Sequence, residues 1–170
     1  IHYMHDKYAY EKIQMALHDS EVHRFMACGV AGLSVIADSL SAIKYAKVTP
    51  IKGESGLIED FKIEGDFPKY GNDDDYVDSI AKKLADYFYH DVTSYKDIYG
   101  HHFVTAFMGI SNYLPTGKVL GATPDGRRAK DPINEGVSPY TGTDTSTCLA
   151  ALRSSAKLNH DIHSGGTLLN

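Results

Sequence analysis

Along its 170 residues the chain alternates between stretches with helical and with strand-like spacing of apolar positions. Residues 1–18 predict a helix through Ile1, Met4, Tyr8, Met15 and Leu17, with Ser20 and Glu21 opening a short turn after it. The stretch 25–32 (Phe25-Met26-Ala27-Cys28-Gly29-Val30-Ala31-Gly32) is apolar and small with no solvent face, so it is expected buried, as a parallel strand or a tightly packed turn. Ser34 is expected to cap a second helix running to about Lys47, with Val35, Ile36, Leu40 and Ile43 on its apolar side and Thr49-Pro50 ending it. Residues 51–69 alternate in short pieces, and Phe61 and Ile63 suggest a small exposed strand. Asn72-Asp73-Asp74-Asp75 precedes a periodic run of Tyr76, Val77, Ile80, Leu84, Tyr87 and Phe88 that reaches about His90. Capping and a favourable helix dipole explain these acids; a calcium loop would need spaced oxygen ligands, a Gly and a closing Glu, which are missing.

The run 102–110, with Phe103, Val104, Phe107 and Ile110, predicts a buried strand. From 111 to 145 the chain is rich in Gly, Pro, Asp, Asn and Thr. A loop of that length is unusual unless it works or is held by a larger body. A short helix over 147–157, a His/Asp/Gly turn and a strand beginning at Thr167 complete the pattern. The chain opens at Ile1 in a helical pattern without Met and stops just after Thr167-Leu168-Leu169, so it is expected to be a piece of a longer protein.

Composition narrows the function classes. The length suits one domain burying ~70% of its unfolded surface, and 42% hydrophobic with 23% charged residues excludes disordered, collagen-like and coiled-coil chains. A net charge of -5 argues against a nucleic-acid partner, which needs a basic footprint. No apolar run approaches the ~20 residues of a membrane span and no signal peptide opens the chain, so a membrane is not an expected partner. Two cysteines, Cys28 and Cys148, are too few for a disulfide scaffold and suit a reducing cytosol, so a cytoplasmic location is expected.

Candidate chemistry is sparse. His2 and His5 share a three-residue spacing, as do His160 and His163, but the HExxH pattern is absent and no metal is expected; surface or interface histidines fit better. Cys28 sits among apolar neighbours and reads as a small hydrophobe. Cys148, near a helix start, is the more reactive thiol, with no base placed beside it. The nucleophile elbow, the P-loop and the dinucleotide fingerprint are all missing. The most informative segment is Gly117-Lys118-Val119-Leu120-Gly121-Ala122-Thr123-Pro124-Asp125-Gly126-Arg127-Arg128-Ala129. Pro-Asp-Gly encodes a turn, Pro by presetting φ and Gly by taking positive φ. The arginines that follow could bind an anion or lock onto a carboxylate or carbonyl, and a structural clamp is favoured over substrate binding.

Several of these stretches resemble one family. Ile1-His2-Tyr3-Met4-His5-Asp6-Lys7-Tyr8, Met26-Ala27-Cys28-Gly29-Val30-Ala31-Gly32-Leu33-Ser34 and Asp38-Ser39-Leu40-Ser41-Ala42-Ile43-Lys44-Tyr45-Ala46-Lys47 resemble pyruvate formate-lyase nearly word for word, as far as about Asn72. Thr123-Pro124-Asp125-Gly126-Arg127-Arg128-Ala129 is similar to a segment found across glycyl radical enzymes. From about Tyr87 onward, Gly136-Val137-Ser138-Pro139, Gly142-Thr143-Asp144 and Gly165-Gly166-Thr167-Leu168-Leu169-Asn170 look more like the dehydratase, decarboxylase and choline-lyase branches.

The resemblance implies an α/β fold: a fragment of the ten-stranded glycyl radical enzyme barrel, helices plus a few buried strands, built in the family from two half-barrels. Inside the family's barrel one loop carries a thiyl cysteine and another a radical glycine. An activase using S-adenosylmethionine and an iron–sulfur cluster installs the glycyl radical. The thiyl chemistry then breaks the pyruvate C–C bond, formate leaves and the acetyl group passes through cysteine to coenzyme A. Carried over residue by residue, little of that machinery falls here. The adjacent Cys-Cys of the family is absent, Cys28 corresponds to a scaffold position, and no glycine has the radical context. The family's carboxylate-gripping arginines correspond to positions before Ile1. The resemblance therefore implies an internal segment, 1–170, that lacks the cysteine loop and the C-terminal glycyl radical domain, binds no cofactor and is inactive alone. Its expected partners are the rest of the parent enzyme, the activase and, for the parent, a second copy in a homodimer. His102, Thr105, Ser111 and Asn112 are the expected groups near the cavity; Thr123, Pro124, Asp125, Gly126 and Arg127 form the expected turn and clamp. Two rivals stay open: a parent that dehydrates a diol or cleaves a C–N bond in a choline-like substrate, and a non-catalytic module complementing a damaged enzyme, which the missing radical glycine disfavours.

Overall fold

The computed structural model describes Lys7 and residues 25–95, 102–108 and 110–169. The helix expected over 1–18, with His2 and His5, lies outside the described residues apart from Lys7.

The apolar, small stretch after residue 24 forms β1 (Phe25–Gly29), the parallel strand that its composition allowed. Its partner is β4 (His102–Ala106), in register from Phe25 opposite His102 to Gly29 opposite Ala106. Parallel strands require a long crossover. Here it consists of α1 (Leu33–Tyr45), an antiparallel hairpin of β2 (Lys47–Lys52) and β3 (Ile58–Glu64), and α2 (Asp75–Ser94). Beyond β4 come a 3-10 turn at Ile110–Asn112, α3 (Tyr113–Val119), α4 (Cys148–Ala156) and a second 3-10 turn at His160–Ile162. The segment 165–168 then runs beside the end of β4. Gly165 N donates to Thr105 O (3.0 Å), Phe107 N to Gly166 O (2.8 Å) and Leu168 N to Phe107 O (2.9 Å).

Several expectations are corrected. β1 is parallel but not buried: Phe25 is 55% and Met26 52% exposed, because β4 is its only strand neighbour among the described residues. The single small strand expected within 51–69 is a hairpin that begins at Lys47, and Pro50 sits in its first strand. Proline is tolerated there because a two-stranded sheet consists of edges. The strand expected to reach Ile110 ends at Ala106, with Phe107 continuing as an isolated bridge to Thr167, and a 3-10 segment begins at Ile110. The expected irregular stretch 111–145 contains α3.

α1 departs most from its pattern. Its cap is not Ser34. The capping position is Gly32, in the left-handed region at φ 85°, and no side chain of its own caps the helix. Of its expected apolar stripe only Val35 is buried: Ile36, Leu40 and Ile43 are exposed, whereas Ser34, Ala37, Asp38, Ser41 and Ala42 are buried. The buried side meets α2, whose inward residues Val77, Ala81 and Ala85 are also small or slim. Small residues on both helices permit close packing, which the long side chains of the stripe would prevent. The polar groups taken inside are mostly bonded. Ser41 Oγ donates to Pro68 O (2.7 Å) and Tyr70 N donates to Asp38 Oδ1 (2.7 Å). Phe107, Tyr70, Val137 and Leu158 complete the core around these helices.

The acids before α2 do what capping requires. Asp74 Oδ1 accepts from Tyr76 N (3.0 Å) and Val77 N (3.3 Å). Asp73, Asp75 and Asp78 all bond Lys157 Nζ at 2.8 Å, fastening α2 to the end of α4. Burial works against the charge on Lys157, but these carboxylates outweigh it and raise its pKa.

Two outcomes are expected. Expressed alone, the 170-residue chain exposes the α1 stripe and the open edge of β1, and so should bind apolar dye and associate; a cooperative, monomeric melt would contradict this. Burial pushes the Asp38 carboxyl up to about 7, against the hydrogen bond from Tyr70 and with a smaller push from Asp125. An unfolded Asp loses its proton near pH ~3.9, so the folded state binds more protons between the two values and Asp38 costs stability increasingly as pH rises towards 7. In the intact protein Asp38→Asn should therefore gain melting temperature over the native chain from about pH 5 to about pH 8. A gap that stays constant with pH would show Asp38 to be ionised throughout.

Candidate functional site

The alternation of the β1–β4 pair sorts residues to two faces. Phe107 takes one face into the core. The other carries Ala27, Gly29 and Ala31 from β1 and its continuation, and Ala106 and Met108 from β4 and its continuation. These small residues leave a cavity of about 560 Å³, which Asn112 and Thr116 from the 3-10 turn and α3, Ile133 from the following loop, and Gly165 also line. A side chain at Gly165 would place its Cβ 2.8 Å from Ala106 Cβ, so this wall needs glycine. Asn112 and Thr116 supply the polar side chains facing the space. Ile133 also lines an adjoining 280 Å³ cavity with Tyr113, Asn134 and Ser138. The arrangement resembles the general placement of ligands beyond the carboxyl ends of parallel strands.

The four expected cavity groups are scattered. Asn112 lines the cavity. Ser111, beside it, is exposed and outside the lining. Thr105 is fully buried and alternates onto the face of Phe107, away from the cavity. His102 stands exposed at the amino end of β4, its ring 6.0 Å from that of Phe25. Alternation within a strand separates Thr105 from its neighbour Ala106, and a run of apolar letters does not say which phase faces in.

The Pro-Asp-Gly segment closes as a turn. Gly126 N donates to Thr123 O (3.0 Å), Thr123 N to Arg127 O (2.9 Å), and Gly126 lies at φ 100°. Ser39 Oγ donates to Asp125 Oδ1 (3.2 Å), which docks the turn on α1. Arg127 is 1% exposed and spends its guanidinium on the loop's own backbone. Nη1 donates to Asp131 O (2.7 Å) and Arg128 O (3.1 Å), and Nη2 donates to Gly121 O.

The cysteines and histidines stay apart. Cys28 is half-buried; Cys148 is exposed at the first residue of α4, beside a third cavity of about 370 Å³. His163 is buried rather than at the surface, its ring centroid 4.0 Å from that of Phe107, and burial lowers its pKa. His160 Nε2 donates to Ser155 O (2.8 Å), and in the neutral ring Nδ1 accepts from Thr167 Oγ1 (3.1 Å). Among the described residues no cluster of three or more His, Cys, Asp or Glu could hold a metal.

Asn134 is the buried group that the sequence did not single out. Its Oδ1 accepts from Ser34 N (3.1 Å) and Val35 N (3.3 Å), so it caps α1 from a loop 100 positions away. Its Nδ2 donates to Ser138 O (2.9 Å) and Gly136 O (3.3 Å). The sequence carried no direct signal for it: Ser34 read as the cap of this helix, and Asn134 is one polar residue in a long loop.

Arg127→Ala should destabilise the intact protein by roughly 2–4 kcal/mol in denaturant titration, and Arg127→Lys should recover only part of this, because an ammonium cannot reproduce the planar fork. An unchanged midpoint for both would show the clamp to be dispensable.

Known proteins resemble this chain in sequence and fold. The sequence profile described as pyruvate formate lyase-like matches residues 1–117. The PFL-like enzyme TdcE of Escherichia coli (strain K12) is 49% identical over 158 residues, 93% of this chain and 21% of that protein. Among solved structures, the B12-independent glycerol dehydratase from Clostridium butyricum, with glycerol bound, superposes with a TM-score of 0.71 at 30% identity, covering 87% of this chain and 20% of that one. The hydroxyproline dehydratase from Clostridioides difficile, with trans-4-hydroxy-L-proline bound, gives 0.71 at 29% identity, again over 87% and 20%. The chain thus spans about a fifth of the length of these relatives. It belongs to the pyruvate formate lyase-like family, among the glycyl radical enzymes.

Proposed function

We propose that the chain is an internal barrel segment of a formate C-acetyltransferase-like glycyl radical enzyme, which converts pyruvate and coenzyme A to acetyl-CoA and formate. The observation that carries this is 49% identity to a PFL-like enzyme across 93% of the chain. On this reading 1–170 lacks the cysteine loop and the glycyl radical domain. The parent, a cytosolic homodimer, receives its glycyl radical from an activase that uses S-adenosylmethionine and an iron–sulfur cluster. Among the described residues no helix is long and apolar enough to cross a membrane.

The sequence has no adjacent cysteine pair, so bond breaking is the work of groups elsewhere in the parent. This chain contributes a wall. Ala27, Gly29, Ala31, Ala106 and Gly165 keep the sheet face low enough to leave space above it, and Met108 and Ile133 line that space with apolar surface. Radical chemistry needs water kept away, and an apolar wall serves that. Asn112 and Thr116 offer hydrogen bonds at its edge.

A second reading, a dehydratase, draws on the glycerol and hydroxyproline dehydratases that superpose over 87% of the chain. One anaerobic experiment separates the two. The intact enzyme, activated, should release formate from pyruvate and coenzyme A and should not convert propane-1,2-diol. Aldehyde from the diol without formate from pyruvate would favour the dehydratase. The isolated 170-residue chain should show no glycyl radical doublet in EPR after exposure to activase; a doublet would overturn the assignment of the radical to another part.

A further inference from the structure

We infer that Asn134 is a positioning residue for substrate: its side-chain amide fixes the loop wall of the 560 Å³ cavity against α1. The role rests on the barrel-segment function proposed above. Ile133, next to Asn134, lines both that cavity and the adjoining one, so a shift of this short stretch moves the partition between them.

The stretch has little freedom. Asn134 Oδ1 holds the first turn of α1 through Ser34 N and Val35 N, and Asn134 O accepts from Gly32 N (2.9 Å). On its other side Nδ2 draws Gly136 O and Ser138 O inward. Gly136, in the left-handed region at φ 52°, passes so close to the β4 extension that an added Cβ would lie 2.6 Å from Phe107 O and 2.3 Å from Leu168 O. Asp131 O would similarly meet a Cβ on Gly117 at 2.3 Å, so the start of the loop lies against α3. The wall is thus pinned to the sheet and to α3 by close backbone contact, and to the start of α1 by the Asn134 side chain beside two backbone contacts, Gly32 N to Asn134 O and the Ala31–Glu135 bridge. Removing the side-chain amide leaves only those two backbone contacts at the α1 end, about which Ile133 can shift. A cavity wall displaced by about an ångström is enough to cost up to ~100-fold in productive binding or rate.

The two nearest isosteres separate capping from wall-setting. Asn134→Asp keeps both acceptor bonds at the helix N-terminus, where a carboxylate is favoured, but loses both donors and faces two carbonyl oxygens. Asn134→Ala loses everything. In the intact, activated enzyme, with glycyl radical per chain matched by EPR, both variants should raise the KM for pyruvate, Asn134→Ala by about tenfold or more, with kcat changed less. Asn134→Asp should recover most of the melting temperature but not the KM. A KM unchanged in both variants at matched radical content would overturn the inference and leave Asn134 a structural cap. Should Asn134→Ala fail to fold, Asn134→Asp decides alone by the same KM criterion. Failure of the underlying function is distinct, because it shows in the native enzyme. If that enzyme turns over propane-1,2-diol instead of pyruvate, the same KM comparison is read on the diol, and inactivity on both removes the role together with the function.

Discussion

The side chain of Asn134 is the contact on which the rest of this structure depends. α1 begins at a glycine that cannot cap it, so its first amides need a partner from elsewhere. The loop after α3 has no regular structure in which to pair its own carbonyls. One buried amide, accepting two bonds and donating two, answers both needs at once. Each bond contributes about 1 kcal/mol net, whereas each buried group left without a partner costs about 1–3 kcal/mol. The penalty for losing the contact therefore exceeds the gain from making it. This asymmetry joins positions 100 apart into one unit.

The interior is held in the same manner elsewhere. α1 and α2 meet largely through small residues, and some of the polar groups buried around them are tied to backbone or to each other. Asp38 takes Tyr70 N, and Asp78 takes Ser154 Oγ and Lys157 Nζ. Burial raises the Asp78 pKa, which its hydrogen bonds with Lys157 and Ser154 oppose. Arg127 serves the loop in the way that Asn134 serves the helix, by gathering the carbonyls of Gly121, Arg128 and Asp131 around one buried side chain. Such contacts give little gross stability compared with apolar burial, but they specify geometry. The large apolar side chains Ile36, Leu40 and Ile43 are left outside, on a face that the relatives' remaining four-fifths of chain would have ample length to cover.

The legible part of this fold was local. The Asp74 cap and the Pro124-Asp125-Gly126 turn follow from residue chemistry within a few positions, and both are found. The illegible part was long-range. Periodicity identified α1 as a helix and placed Val35 inward correctly, but it also placed Ile36, Leu40 and Ile43 inward, because the rule assumes that a helix buries its largest apolar residues against its own chain. Here the nearest helix presents small residues, and close approach won. Thr105 and Asn112 both stood near an apolar run, yet strand phase sent one into the core and a turn sent the other to the cavity. No local pattern marks Asn134 as a cap, since the amide of Ser34 that it holds lies 100 positions upstream. Resemblance to pyruvate formate-lyase identified the family without locating any of these contacts.

The most direct test is amide hydrogen exchange at Ser34 and Val35 in the intact protein. First-turn amides of a helix that relies on solvent exchange quickly, because they have no intrahelical acceptor. With both held by Asn134 Oδ1, they should exchange as slowly as the amides of Ala37 and Ala42 in the buried middle of α1. Exchange at Ser34 and Val35 as fast as at a frayed helix end, with Ala37 and Ala42 still protected, would contradict the account.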